Sequence, residues 1–121
     1  MVNKNEFMEF VTEQMSALGG VTARAMFGGY GLYCDGLFIA IVTGDKLYFK
    51  ADALTQPDFE ARGLRRFGYE ARGKAVHLRY YEAPAEVFDD GQAMREWGLK
   101  ALGAAVRARR PAKADTPARG S

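Results

Sequence analysis

The chain has 121 residues, of which 48% are hydrophobic and 26% are charged, as expected for a single soluble globular domain. One cysteine excludes an intramolecular disulfide and a thiolate-cluster zinc site, and one histidine leaves too few ligands for a transition-metal site. The longest apolar run, residues 37–42, is far shorter than the roughly 20 residues of a membrane-spanning helix. The N-terminus lacks a signal-peptide core, so we expect a cytoplasmic protein. A Mg²⁺ site of carboxylate oxygens stays formally open, but no clustered Asp/Glu pattern indicates one, and we expect neither metal nor cofactor.

The net charge of +2 is unevenly distributed along the chain. Residues 107–121 carry five Arg or Lys and one Asp, whereas residues 1–106 carry 12 basic and 14 acidic side chains. The last segment is rich in Ala, Arg and Pro and has no large apolar residue, so we expect a disordered basic tail after a folded domain of residues 1–106. The folded part does not have the charge of a conventional nucleic-acid binder.

The first predicted element is an amphipathic helix that ends at Gly19-Gly20. Asn3 and Glu6 have the spacing of a capping box. One helix face then carries apolar residues at helical spacing, namely Phe7, Val11, Met15 and Leu18.

A β-meander is predicted next. Residues 22–27 lead through an irregularity at Gly28-Gly29, read as a bulge or bend, into the first strand. The second strand is apolar on both faces, which places it centrally in the sheet. The three strands are residues 30–34, 37–42 and 46–50, with turns at Asp35-Gly36 and Gly44-Asp45.

The second half of the chain is predicted to contain two helices and two strands, with no internal sequence repeat. A short helix begins at Thr55 and stops at Gly63, and a last helix begins after Asp89-Asp90 and ends near Arg107. Between them lie strands 65–70 and 76–81, a turn around Gly73 and a helical turn opened by Pro84. The order α-β(3)-α-β(2)-α predicts an α+β domain: a five-stranded antiparallel sheet with helices mainly on one face.

Residues 19–33, Gly-Gly-Val-Thr-Ala-Arg-Ala-Met-Phe-Gly-Gly-Tyr-Gly-Leu-Tyr, strongly resemble the N-terminal domain of TfoX/Sxy-type competence regulators. The resemblance covers about residues 5–106. Supporting matches are Leu47-Tyr48-Phe49-Lys50, Asp58-Phe59-Glu60, Phe67-Gly68-Tyr69, Gly73-Lys74, Tyr80-Tyr81 before Pro84, and Asp89-Asp90 before a Trp-containing helix.

This resemblance implies the same α-β(3)-α-β(2)-α arrangement, related to secretion-chaperone-like folds that often dimerise. Full-length regulators of the family carry a second, helical C-terminal domain and act with the cAMP receptor protein at competence promoters. This chain departs from them because it stops about fifteen residues after its last predicted helix, so we expect a stand-alone domain. The resemblance supplies no catalytic residue.

Two groups of residues are candidate binding sites. The glycine segment offers a partner-binding edge, although its aromatics packing in the core is the plainer reading; its members are Arg24, Phe27, Gly28, Gly29 and Tyr30. Basic residues interleaved with Phe67 and Tyr69 resemble a single-strand-binding hairpin, although strand alternation favours a solvated hairpin with a buried aromatic side. The basic candidates, with the tail, are Arg62, Arg65, Arg66, Arg72, Lys74, Arg107, Arg109, Arg110 and Lys113.

Catalysis is disfavoured because Cys34 and His77 are the only conceivable nucleophile and base, and no orienting motif accompanies them. We predict a non-catalytic protein-interaction module that modulates transcription through a transcription factor or RNA polymerase, with a homodimer as one expected form. The alternative is direct non-specific nucleic-acid binding through the tail and the hairpin. A small-ligand binder or enzyme is the third reading.

Overall fold

A computed structural model of the protein describes residues 4–26 and 28–114, and the side chains of residues 6–26 and 28–109. The expected capping residue Asn3 lies outside this range. The helices are α1 (Lys4–Gln14), α2 (Gln56–Ala61) and α3 (Gly91–Ala114), with 3₁₀ helices at Met15–Leu18 and Ala85–Phe88. The strands are β1 (Val21–Met26), β2 (Gly29–Cys34), β3 (Leu37–Thr43), β4 (Lys46–Lys50), β5 (Arg66–Ala71) and β6 (Lys74–Glu82).

The strands form one antiparallel sheet in the order β1-β2-β3-β4-β6-β5, which confirms the α+β class. The expected count of five strands is wrong, because β1 is a full strand rather than a lead-in. Met26 pairs with Gly29, so the chain reverses between them, and Gly28 adopts a φ of 74° that favours glycine. The predicted bulge is therefore a hairpin, and the order becomes α-β(4)-α-β(2)-α.

The remaining turns follow the sequence signals. Asp35 and Gly36 have φ values of 53° and 81°, the two positive angles of a type I′ hairpin turn. Cys34 and Leu37 pair on either side of this turn. β3 lies inside the sheet, between β2 and β4, as its two-sided apolar pattern predicted.

The helices pack on one face of the sheet, as predicted. α3 lies against β3 and β4, while α1 lies near β1 and β2. Phe59 of α2 is fully buried between the rings of Tyr81 and Trp97, at centroid distances of 5.4 and 5.0 Å. Trp97 thus anchors the last helix in the core, and the predicted apolar face of α1 contributes buried Val11 and Met15.

The last helix is longer than expected. α3 continues to Ala114, so its expected end near Arg107 is wrong. The domain boundary at residue 106 and the disordered tail remain predictions. The extension includes Pro111, which lacks a backbone N–H and disfavours a helix interior. Two features offset it: the segment is rich in Ala and Arg, which are strong helix formers, and Arg107 is held by Asp52. Residues 115–121 lie outside the described range. Among the described residues, no helix combines the length and apolar character needed to cross a membrane.

Candidate functional site

The face of the sheet opposite the helices carries a continuous set of aromatic rings. Residues paired across an antiparallel sheet point to the same side. Tyr33 pairs with Phe38, and Lys50 pairs with Tyr80. Their neighbours along the strands, among them Cys34, Phe49 and Tyr81, pack in the core with the helices, so these four side chains lie on the other side of the sheet. We call this surface the aromatic face; its rings are Tyr33, Phe38, Tyr48, Phe67, Tyr69 and Tyr80.

The rings form two clusters. In the first, Phe38 stacks on Tyr33 at 5.2 Å and contacts Tyr80 at 5.6 Å. In the second, Phe67 meets Tyr48 edge-on at 4.9 Å and lies 6.1 Å from Tyr69. The solvent exposure of the individual rings differs widely: Tyr80 is 7% exposed and Tyr69 is 49% exposed.

A glycine makes the first cluster possible. A Cβ atom at Gly31 would lie 2.8 Å from a ring carbon of Phe38 and 2.9 Å from the sulfur of Met26. Both side chains therefore lie directly over the backbone of β2. Gly31, within the Gly-Tyr-Gly part of residues 19–33, thus shapes the aromatic face.

Cations border the rings. The Arg24 guanidinium lies 5.6 Å from the Tyr33 ring centroid, and the Lys50 ammonium lies 5.3 Å from that of Tyr80. Lys46 forms a 3.1 Å ion pair with Glu82. The arrangement combines aromatic surface with positive charge.

Burial and neighbouring groups raise the pKa of two phenols on this face. Burial, together with the phenol of Tyr33, raises the pKa of Tyr80 to about 12. Burial and then the Glu82 carboxylate raise the pKa of Tyr48, while Lys46 and Arg65 oppose that rise. The Arg65 carbonyl accepts the backbone N–H of Glu82 at 2.8 Å, and Glu82 pairs with Tyr48, so Arg65 lies at this end of the face. Asp45 is a second carboxylate near Tyr48.

The structure divides the predicted partner-binding group. Arg24 lies on the aromatic face, whereas Tyr30 is half-buried against the core on the helix side. Gly28 and Gly29 form the β1–β2 hairpin. Phe27 lies outside the described residues.

The basic hairpin residues do not form one patch. Arg62 donates to Glu86 at 2.9 Å and lies over Trp97, while Arg66 lies over Tyr81, so both are on the helix side. Arg65 lies near Tyr48 instead. Arg72 and Lys74 are exposed at and beside the β5–β6 turn.

Alternation within this hairpin is as predicted, with Arg66 on the side opposite Phe67. The expected burial of the aromatic side is wrong for Tyr69, which is half-exposed. The physical reason is that the described helices lie on the other face of the sheet.

Of the predicted basic tail, Arg107 is structural. Its guanidinium donates to both carboxylate oxygens of Asp52, at 2.6 and 3.1 Å. Arg107 is the first cause of the lowered pKa of Asp52, which is about 2. Arg109 is exposed on α3, and the side chains of Arg110 and Lys113 lie outside the described residues.

Cys34 and His77 are not brought together. They lie on β2 and β6, which are separated by β3 and β4, or about 14 Å of sheet. The Cys34 thiol is buried and donates to the Leu18 carbonyl at 3.7 Å, and burial raises its pKa, which disfavours the thiolate. No group of three or more metal-ligating side chains occurs in the described part of the chain.

Sequence reasoning did not identify the aromatic face as a unit. The signal was present, since Tyr33, Phe38 and Tyr48 occupy strand positions whose side chains point away from the buried ones. A sheet with one solvated side has polar residues at such positions. What the sequence does not show is which strands are neighbours.

Comparisons with known proteins agree with the resemblance. A family profile described as the TfoX N-terminal domain matches residues 13–105. The chain is 28% identical, over 86 residues, to a DNA transformation protein TfoX1 of Aliivibrio fischeri; the match covers 71% of this chain and 39% of that protein. The chain thus spans less than half the length of this relative. Because the profile covers most of the described fold, the chain belongs to the TfoX N-terminal domain family.

Proposed function

We propose that this chain is a non-catalytic interaction module of competence-type regulation, which modulates transcription by binding a protein partner. Membership of the TfoX N-terminal domain family supports the regulatory role. The separation of Cys34 from His77 removes the catalytic pair that the sequence suggested. The whole-length activity of the matched relative is extended to this chain by analogy.

The observation that carries the proposal is the open edge at β1. β1 is the outermost strand and pairs with β2 on one side, so its other side presents backbone N–H and C=O groups. It has no Pro or Gly, and Arg24 is its single charge. Such an edge accepts an additional strand, with backbone hydrogen bonds supplying affinity.

The opposite edge is poorly suited to the same role. β5 contains Gly68 and two charges, Arg66 and Glu70, and its register with β6 shifts between Arg66 and Gly68. Charges and irregular register are devices by which natural sheets block added strands. We therefore place the partner, a transcription factor or RNA polymerase component, on β1.

The test is affinity capture with the full chain and two matched variants. Ala25→Lys places a charge on β1, and Ala75→Lys makes the same change on β6; both alanines are exposed. We expect a transcription component to be retained by wild type and by Ala75→Lys and lost with Ala25→Lys. Capture of no transcription component, or equal loss with both variants, would contradict the proposal.

A second copy of the chain is the competing occupant of β1. Light scattering of the same three proteins separates the two cases. A dimer that is lost with Ala25→Lys, without any transcription component in the capture, would replace the proposed partner by self-association.

A further inference from the structure

We infer that the aromatic face is a second binding surface, separate from the β1 edge, and that it takes single-stranded nucleic acid. The face is open: the described helices lie on the other side of the sheet, and Tyr69 is half-exposed. An aromatic surface of this extent on a solvated sheet face is unusual, because alternation normally places polar residues there.

The charges on the aromatic face indicate the charge of the molecule that binds there. Four cations lie on or beside this face, Arg24, Lys46, Lys50 and Arg65, whereas the carboxylates near them are Glu82, which pairs with Lys46, and Asp45. This excess contrasts with the chain as a whole, in which 17 basic and 15 acidic residues nearly cancel. The occupant therefore carries negative charge.

The aromatic rings indicate a second property of the bound molecule, which is a planar group that can stack. Tyr33 is half-buried with the Arg24 guanidinium 5.6 Å from its ring centroid, and Tyr69 is 49% exposed, whereas Tyr80 is buried in contact with Phe38 and Lys50. Partly exposed aromatic surface therefore lies beside positive charge on this face. A single strand offers the matching pair in every nucleotide, a base that stacks on a ring and a phosphate that meets a cation. A duplex keeps its bases stacked inside, and a flat sheet face does not reach them.

An acidic protein segment is the other anionic candidate. It is less well matched because its carboxylates lie on flexible side chains, and it has planar groups only where aromatic residues occur. Base stacking on aromatic rings is sequence-tolerant. We therefore expect weak dependence on base identity and strong dependence on salt.

Fluorescence anisotropy with the full chain tests this inference. The probes are labelled oligothymidylate, oligouridylate of the same length, and a duplex of the same length, each across a sodium chloride series. Comparison of the affinities for the two single strands shows whether the face prefers DNA or RNA. We expect both single strands to bind more tightly than the duplex.

Two matched pairs of variants locate the site. Arg24→Glu reverses an exposed charge on the aromatic face, and Arg95→Glu makes the same change on α3. We expect Arg24→Glu to raise the Kd about tenfold and to reduce the salt slope by about one. Arg95→Glu should stay within about twofold of wild type, because it leaves the face and the tail unchanged.

The second pair isolates stacking. Tyr69 is half-exposed, so its replacement leaves the core intact. Tyr69→Ala should raise the Kd about five- to a hundredfold, whereas Tyr69→Phe, which keeps the ring, should remain near wild type.

Four results would overturn the inference. They are absence of single-strand binding at low salt, equal affinity for the duplex, equal loss with Arg24→Glu and Arg95→Glu, or unchanged affinity of Tyr69→Ala. Loss of protein capture in Tyr69→Ala, without any nucleic-acid binding, would assign the face to that protein instead. Arg24 lies on β1, so its variant also alters that strand. The Tyr69 pair lies on β5 and leaves β1 unchanged, so failure of this inference can be distinguished from failure of the β1 proposal, which is tested by Ala25→Lys.

Discussion

The two faces of the sheet use the same residue types for different purposes. On the covered face, Phe59 is fully buried between the rings of Tyr81 and Trp97, and the cations of Arg62 and Lys100 lie over Trp97. On the aromatic face, Tyr33 and Tyr80 also have a cation over the ring, but the described helices do not cover this side of the sheet and Tyr69 is 49% exposed. Burial of apolar surface explains the covered arrangement. It does not explain aromatic rings that stay half-exposed, and this difference in cover makes the aromatic face a candidate for binding.

The same substitution on both faces gives the largest expected contrast. Phe59→Ala should lower the free energy of unfolding by about 3–5 kcal/mol, since it leaves a cavity between two rings. Phe38→Ala should cost about 1–2 kcal/mol, because Phe38 is half-buried on the aromatic face. Urea denaturation with linear extrapolation measures both values.

Binding measurements complement the stability measurements for Phe59→Ala and Phe38→Ala. Phe38→Ala should weaken single-strand binding while the protein remains folded. Equal destabilisation by the two variants would mean that the aromatic face is a second structural core, and the contrast between the faces would fail.

The difference between the faces also shows what the sequence reveals. Amphipathic periodicity placed Val11, Met15 and Trp97 in the core, because a helix face is read from consecutive turns. Asp35-Gly36 predicted its hairpin turn because positive φ angles require particular residues. These are local properties of the chain.

Non-local properties were harder to predict. β1 was missed because the glycines after it resembled a bulge, and the turn is established only by the pairing of Met26 with Gly29. The end of α3 was missed because the Asp52–Arg107 pair joins residues 55 positions apart. The aromatic face depends on strand order, which brings Phe38 of β3 to Tyr80 of β6.

The Asp52–Arg107 ion pair holds α3 in place, and its loss should have an intermediate effect on the stability of the fold. The pair lies on the covered side of the sheet. Arg107 holds the pKa of Asp52 at about 2, below its ordinary value of 3.8. A lowered carboxylate pKa stabilises the fold fully above about pH 4, and that contribution is lost as the pH falls through about 2. Because the pair is partly exposed, we expect about 1–2 kcal/mol.

Asp52→Asn tests this contribution, because the amide oxygen still accepts the backbone N–H bonds of Leu54 and Thr55. We expect lower stability at neutral pH and a flatter pH dependence between about pH 4 and pH 2. Asp58→Asn is the control, since its pair with Lys100 is more exposed and should contribute less than about 1 kcal/mol. If the stability of Asp52→Asn had the same pH dependence as wild type, the contribution could not be assigned to the Asp52–Arg107 pair.

The smallest expected effect compares adjacent tyrosines that point to opposite faces. Tyr80 lies on the aromatic face with a pKa of about 12, whereas Tyr81 faces the helices and donates a 2.8 Å hydrogen bond to Glu60. Ultraviolet titration of phenolate absorbance should lose its step near pH 12 in Tyr80→Phe and keep it in Tyr81→Phe. A raised phenol pKa stabilises the fold below about pH 10, and this contribution is lost as the pH rises through about 12. Retention of the step near pH 12 in Tyr80→Phe would contradict the burial assigned to this phenol on the aromatic face.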